Sequence, residues 1–215
     1  MDRLELVKDL QKTGVFMMDN DLAWGTAGNI SARVSEDQFY VSACGTYLGE
    51  MDISDFSLCS DDGLVEGKKP SKEHIMHQNI YKERPEINAI LHASPFYSTL
   101  IANTDMAIPS NYFVEAMYYL EKIVRIPYEH PGSLGLADAV KEKAKLGNVM
   151  LLENHGVIVY DTSLKEARMA LQTLEYTCRM HIQAMQSGIK INGLSEDTVN
   201  DFLYNAGYKP VRKWD

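Results

Sequence analysis

The feature that most restricts what this chain can fold into is the alternation, from residue 88 onward, of short apolar runs with helical stretches. Asn88–His92, 123–127, 148–153 and 157–160 read as strands, because each is brief, apolar and bounded by turn or cap residues. Between them the spacing predicts helices from Ser94-Pro95 to Asn103, over 134–146 and over 163–186, with a last amphipathic piece over 195–206. Strands separated by helices need a sheet covered on both faces, so the pattern predicts a layered α/β sandwich.

The first part of the chain adds strands of a different kind. Leu4, Val7, Leu10, Val15 and Met18 give residues 2–20 a helical spacing. A glycine-rich loop, Gly25-Thr26-Ala27-Gly28-Asn29, then precedes a strand at 30–34, and Gln38–Ser42 and Phe56–Cys59 follow, closed by an Asp-Asp-Gly turn at 61–63. These hairpin-like turns make the sheet mixed. Pro70-Ser71 announces a helix from Lys72 to Arg84, ended by Pro85. No linker, repeat or low-complexity tract divides the chain, so residues 1–215 are expected to form a single domain.

Composition excludes some classes of function. Hydrophobic residues at 45% and charged residues at 24% rule out a disorder-dominated chain, and a net charge of −9 without a basic cluster argues against a nucleic-acid surface. A small anion remains compatible, since a few local donors suffice to hold one phosphate. No apolar run is long enough to span a bilayer, and Met-Asp-Arg-Leu-Glu is not a secretory start, which predicts a cytoplasmic protein. Cys44, Cys59 and Cys178 are odd in number and widely spaced, and so are expected to be reduced thiols.

Several residues carry possible chemistry. His92 and His155 each end an apolar strand, a common way to build a zinc site, although either alone reads more simply as a structural histidine. Glu73 stands at a helix start, where the helix dipole favours a carboxylate. His74 and His77 share a helical face and read as structural or supporting groups. Thr26, Asn29 and Ser71 lie beside glycines in loops that can present donors to a phosphate.

In combination these residues are far more specific. Gly28-Asn29-Ile30-Ser31, Ser42-x-x-Gly45, Lys69-Pro70-Ser71-x-Glu73, the strand-ending His92 and Asn154-His155-Gly156 occur in an order that resembles the class II aldolase/adducin family, over about residues 4–190. Glutamate at position 73 resembles the aldolase branch, of the fuculose-phosphate type, rather than ribulose-phosphate epimerases, which carry aspartate there.

That resemblance implies a three-layer α/β/α sandwich around a mixed, largely antiparallel sheet. It implies Zn2+, or another divalent metal, held by His92, His155 and the position two after His92. That position is Ser94, a poorer zinc ligand than the expected imidazole, and Ser94-Pro95 also reads as a plain helix start. Glu73 or Glu115 could supply a carboxylate ligand in its place. The resemblance further implies a phosphate cradle from Thr26, Gly28, Asn29, Cys44, Gly45, Ser71 and Lys72. Glu73 would be the proton shuttle, and a tyrosine from a neighbouring subunit would act at the aldehyde oxygen: Tyr112, with Tyr204 or Tyr208 as C-terminal counterparts.

The expected reaction is cleavage of a small ketose 1-phosphate to dihydroxyacetone phosphate and an aldehyde, in a homotetramer. The changed ligand position leaves open a non-catalytic, adducin-like binding protein, or a dehydratase, decarboxylase or epimerase.

Overall fold

The computed structural model describes residues 2–214. Among them eight strands form one sheet in the order β4-β3-β2-β1-β5-β8-β7-β6. The strands are β1 (Asn29–Arg33), β2 (Gln38–Ser42), β3 (Phe56–Ser60), β4 (Gly63–Glu66), β5 (Ala89–Ala93), β6 (Ile123–Ile126), β7 (Val149–Leu152) and β8 (Gly156–Asp161). Every neighbouring pair is antiparallel except β6 with β7, so the sheet is mixed and largely antiparallel as expected.

The same residues form seven α-helices: α1 (Arg3–Asp19), α2 (His74–Glu83), α3 (Phe96–Ala102), α4 (Val114–Tyr119), α5 (Leu134–Lys143), α6 (Leu164–Ser187) and α7 (Glu196–Tyr204), the last packed on α4. Strand alternation sorts the core into two layers. Ile30, Ala32, Leu91, Leu151 and Val159 face α1, α3, α4 and α6, while Ile90, Met150, Ile158 and Tyr160 face α2 and α5. The result is the three-layer sandwich. Among the described residues no helix is long and apolar enough to cross a membrane.

Three local expectations are corrected. The Asp-Asp-Gly turn does not end the hairpin region but leads into the edge strand β4, whose Leu64 and Val65 are both exposed. The six-residue α4 was not expected. Ser94 does not cap α3: Pro95 holds that position, with no side-chain cap. The cysteines are free thiols, Cys44 exposed and the other two buried.

The topology brings distant residues to one end of the sheet. In the pairing of β1 with β5, Asn29 lies opposite His92, and β8 runs back from Gly156 alongside β5, with Val157 opposite Ala93. The Gly28–Asn29 turn, the end of β5 and the Asn154-His155-Gly156 turn therefore converge. Gly28 takes φ +91°, and a Cβ there would lie 2.5 Å from the carbonyl oxygen of His92. Only glycine permits that approach.

Candidate metal and substrate site

Glu73 occupies the position just before α2 but does not cap the helix. Its carboxylate instead turns into the gap between the two strand ends. Oε2 lies 3.3 Å from His92 Nε2, and Oε1 lies 3.3 Å from His155 Nε2. The three ligand-capable atoms all fall within 4.8 Å of one another, and the imidazoles meet edge to face with centroids 4.8 Å apart.

The ring of His92 is oriented by its neighbour: its Nδ1 donates to the Val157 carbonyl at 2.9 Å, which turns Nε2 toward Glu73. Burial, with His92 alongside, lowers His155 to about 4 against the opposing pull of Glu73, so its imidazole is neutral at pH 7. Glu73 Oε1 is buried without a hydrogen bond. Two imidazoles and an oxygen with no donor form a set suited to a divalent cation.

Ser94 is close by but otherwise engaged. Its hydroxyl donates to the carbonyl of His155 at 3.1 Å, and its own carbonyl accepts from the Trp24 indole at 3.2 Å. In this geometry Ser94 ties the β5 end to the Asn154-His155-Gly156 turn.

The expected phosphate residues lie around the same site. Thr26, Gly28, Asn29, Cys44, Gly45, Ser71 and Lys72 line a cavity of about 450 Å³ together with Glu73, His92, Ser94 and His155. An adjoining cleft of about 1000 Å³ shares Trp24, Ser94 and His155, and continues past the exposed Phe96, Leu100 and Tyr176. Asn29 has a second role: its amide donates to Glu73 Oε2 at 2.8 Å.

Tyr112 does not line the cavity around Glu73; its hydroxyl pairs with His181 Nδ1 at 2.7 Å. Tyr204 donates to Glu121, and Tyr208 packs on Tyr118 and Phe202, so neither reaches the cavity within one chain. Glu115 opens the first turn of α4 and is not part of the Glu73–His92–His155 group. Trp24, Thr46 and Pro131, which also line the cavity, were not singled out from the sequence. Their residue types carry no chemical signature, and only the loop geometry brings them in.

The profile of the class II aldolase and adducin N-terminal domain matches residues 8–182. This chain belongs to that family. Within the class II aldolase/adducin family it is 34% identical over 189 residues to a 3-oxo-tetronate 4-phosphate decarboxylase of Haemophilus influenzae, covering 85% of this chain and 88% of the relative. It is 30% identical over 184 residues to an L-fuculose phosphate aldolase of Methanocaldococcus jannaschii, covering 84% and 95%. A crystal structure of YgbL from Klebsiella pneumoniae, described as a candidate aldolase/epimerase/decarboxylase, superposes with a TM-score of 0.83 at 27% identity and covers 94% of this chain and 99% of that one. The expected membership and fold both hold.

Proposed function

We propose that this chain is a metal-dependent lyase that cleaves a small ketose 1-phosphate to dihydroxyacetone phosphate and an aldehyde. The observation that carries the reading is the Glu73 carboxylate set 3.3 Å from both His92 Nε2 and His155 Nε2, at the wall of a cavity lined by the phosphate-loop residues. His92, His155 and Glu73 would hold the cation, Zn2+ or another divalent metal. Bound there, it would supply Lewis-acid stabilisation of the negative charge that develops on the substrate's oxygens.

The residues of the chain do the rest. Ser71 accepts from the Glu73 amide, which leaves its own proton for a phosphate oxygen, and Lys72 beside it adds positive charge. As the substrate hydroxyl destined to become the aldehyde loses its proton, the adjacent carbon–carbon bond breaks and its electron pair passes into an enediolate. The hydroxyl proton leaves through the carrier at the aldehyde oxygen, an equivalent proton reaches Glu73 from solvent, and Glu73 delivers it to the enediolate carbon that had borne the aldehyde. Tyr112 of a neighbouring subunit is the proposed proton carrier at the aldehyde oxygen, in a homotetramer whose contacts cover the cleft walled by Phe96, Leu100 and Tyr176.

A second reading is supported by the 34% identity to a decarboxylase. Loss of CO2 from a 3-oxo-4-phospho acid would leave the same enediolate and the same triose phosphate after protonation. Purified protein supplied with Zn2+, Mn2+ or Co2+ and a panel of ketose 1-phosphates, with dihydroxyacetone phosphate coupled to its NADH-dependent reductase, tests the first reading. Adding a 3-oxo-tetronate 4-phosphate and measuring CO2 separates the second. Turnover that disappears in Glu73→Gln is expected; no turnover on any of these substrates with any metal would contradict both.

A further inference from the structure

His77 lies four residues beyond Glu73 on α2, is 0% exposed, and takes part in a buried chain of hydrogen bonds that ends on the Glu73 carboxylate. Its links are Tyr81 hydroxyl to Ser31 hydroxyl at 2.8 Å, Ser31 to His77 Nδ1 at 2.7 Å, His77 Nε2 to Asn29 Oδ1 at 2.6 Å, and Asn29 Nδ2 to Glu73 Oε2 at 2.8 Å.

The direction of each link follows from the one before it. Asn29 faces Glu73 with its NH2, which donates to the carboxylate oxygen Oε2. Its Oδ1 is then turned to His77, an acceptor that requires the proton on Nε2. Nδ1 is left with a lone pair and accepts from Ser31, whose oxygen accepts in turn from Tyr81. Burial, with His92 and His74 nearby, lowers His77 to about 3, so an imidazolium does not compete with this neutral tautomer.

The sequence spacing builds the chain. Glu73, just before α2, and His77 and Tyr81 on it are spaced i, i+4, i+8, and Asn29 and Ser31 form an i, i+2 row on β1. Four helical residues advance about 6 Å and two strand residues about 6.6 Å, so the two rows stay in step. For stability alone, a well-packed apolar cluster would serve as well as a buried polar network.

We propose that His77 is the positioning residue of Glu73: through the Nε2–H donor it fixes the amide orientation of Asn29, and thereby the direction of the carboxylate between His92 and His155. This rests on the reading of Glu73 as ligand and proton carrier, but two of its tests do not need turnover.

His77→Phe keeps the ring volume and removes the donor, so Asn29 can rotate its oxygen toward Glu73. His77→Gln places an amide donor where Nε2 was. Titrated with Zn2+ alone against a chromophoric chelator, His77→Phe is expected to bind about ten- to a hundredfold more weakly than wild type, and His77→Gln within about threefold of it. If ketose-phosphate turnover is present, kcat should fall in His77→Phe with KM little changed and recover in His77→Gln. Long-range proton–nitrogen correlation on 15N-histidine-labelled wild type should show the His77 ring, identified by its loss in His77→Gln, protonated on Nε2 alone. That spectrum decides the matter even if His77→Phe does not fold or no substrate is found. Wild-type zinc affinity in His77→Phe, equal loss in His77→Gln and His77→Phe, or a ring protonated on Nδ1 would each overturn the proposal.

Discussion

Residue 94, just past the end of β5, lines the same cavity as Glu73, His92 and His155. Its hydroxyl, however, is spent on the His155 carbonyl. An imidazole there would add a stronger zinc donor than a hydroxyl. Ser94→His is therefore expected to tighten Zn2+ binding by about tenfold or more in the same chelator competition; unchanged or weaker binding would show that the position does not face the cation. His77 sets a pH dependence of stability. Its folded value of about 3 lies below the ordinary imidazole value of 6.5, so the unfolded chain binds a proton that the folded chain refuses. The stabilisation is complete above pH 6.5 and is lost as pH falls toward 3, amounting to about 2 kcal/mol by pH 5. Urea unfolding at pH 7.5 and pH 5 should show that loss in wild type and a smaller one in His77→Gln; equal losses would contradict it. Most of the cavity lining was legible in the sequence, because Gly28-Asn29, Ser71-x-Glu73 and Asn154-His155-Gly156 are local motifs. The partner of Ser94 and the chain through His77 were not, since both depend on which residue of one strand or helix lies opposite which residue of another.

At the scale of elements, the site is a meeting of strand ends held by close backbone approaches. Gly28→Ala would set a Cβ 2.5 Å from the His92 carbonyl oxygen, at a positive φ that alanine avoids. A loss of about 2–4 kcal/mol is expected, with zinc affinity falling in parallel because His92 sits on the displaced strand end. Thermal unfolding and metal titration of the variant test this, and an unaltered melting temperature would show that the turn relaxes freely. The apolar runs of β5, β7 and β8 were readable because both faces of those strands are buried. Edge strand β4 was not, because Leu64 and Val65 are exposed and give no alternation, and the six residues of α4 are too few to display a helical period.

At the scale of the whole molecule, the two ends of the sheet do different work. The end bearing Asp161 anchors the C-terminal segment: Arg212 pairs with Asp161 and stacks 4.2 Å from the Tyr118 ring centroid, and Lys209 pairs with Glu166. Both members of the Arg212–Asp161 pair are buried, so Arg212→Ala would strand a carboxylate. A cost of about 3 kcal/mol is expected, seen as a melting temperature lower by roughly 6–12 °C; a change under 1 °C would mean that the segment is held by other contacts. The opposite end gathers Glu73, His92 and His155, and the proposed chemistry depends on these three sharing one cation. Anomalous diffraction at the zinc edge from zinc-loaded crystals tests that most directly. The expected result is a peak about 2.0–2.1 Å from Nε2 of both His92 and His155, with a Glu73 oxygen at about 2.0–2.2 Å. No zinc peak between those side chains would contradict it.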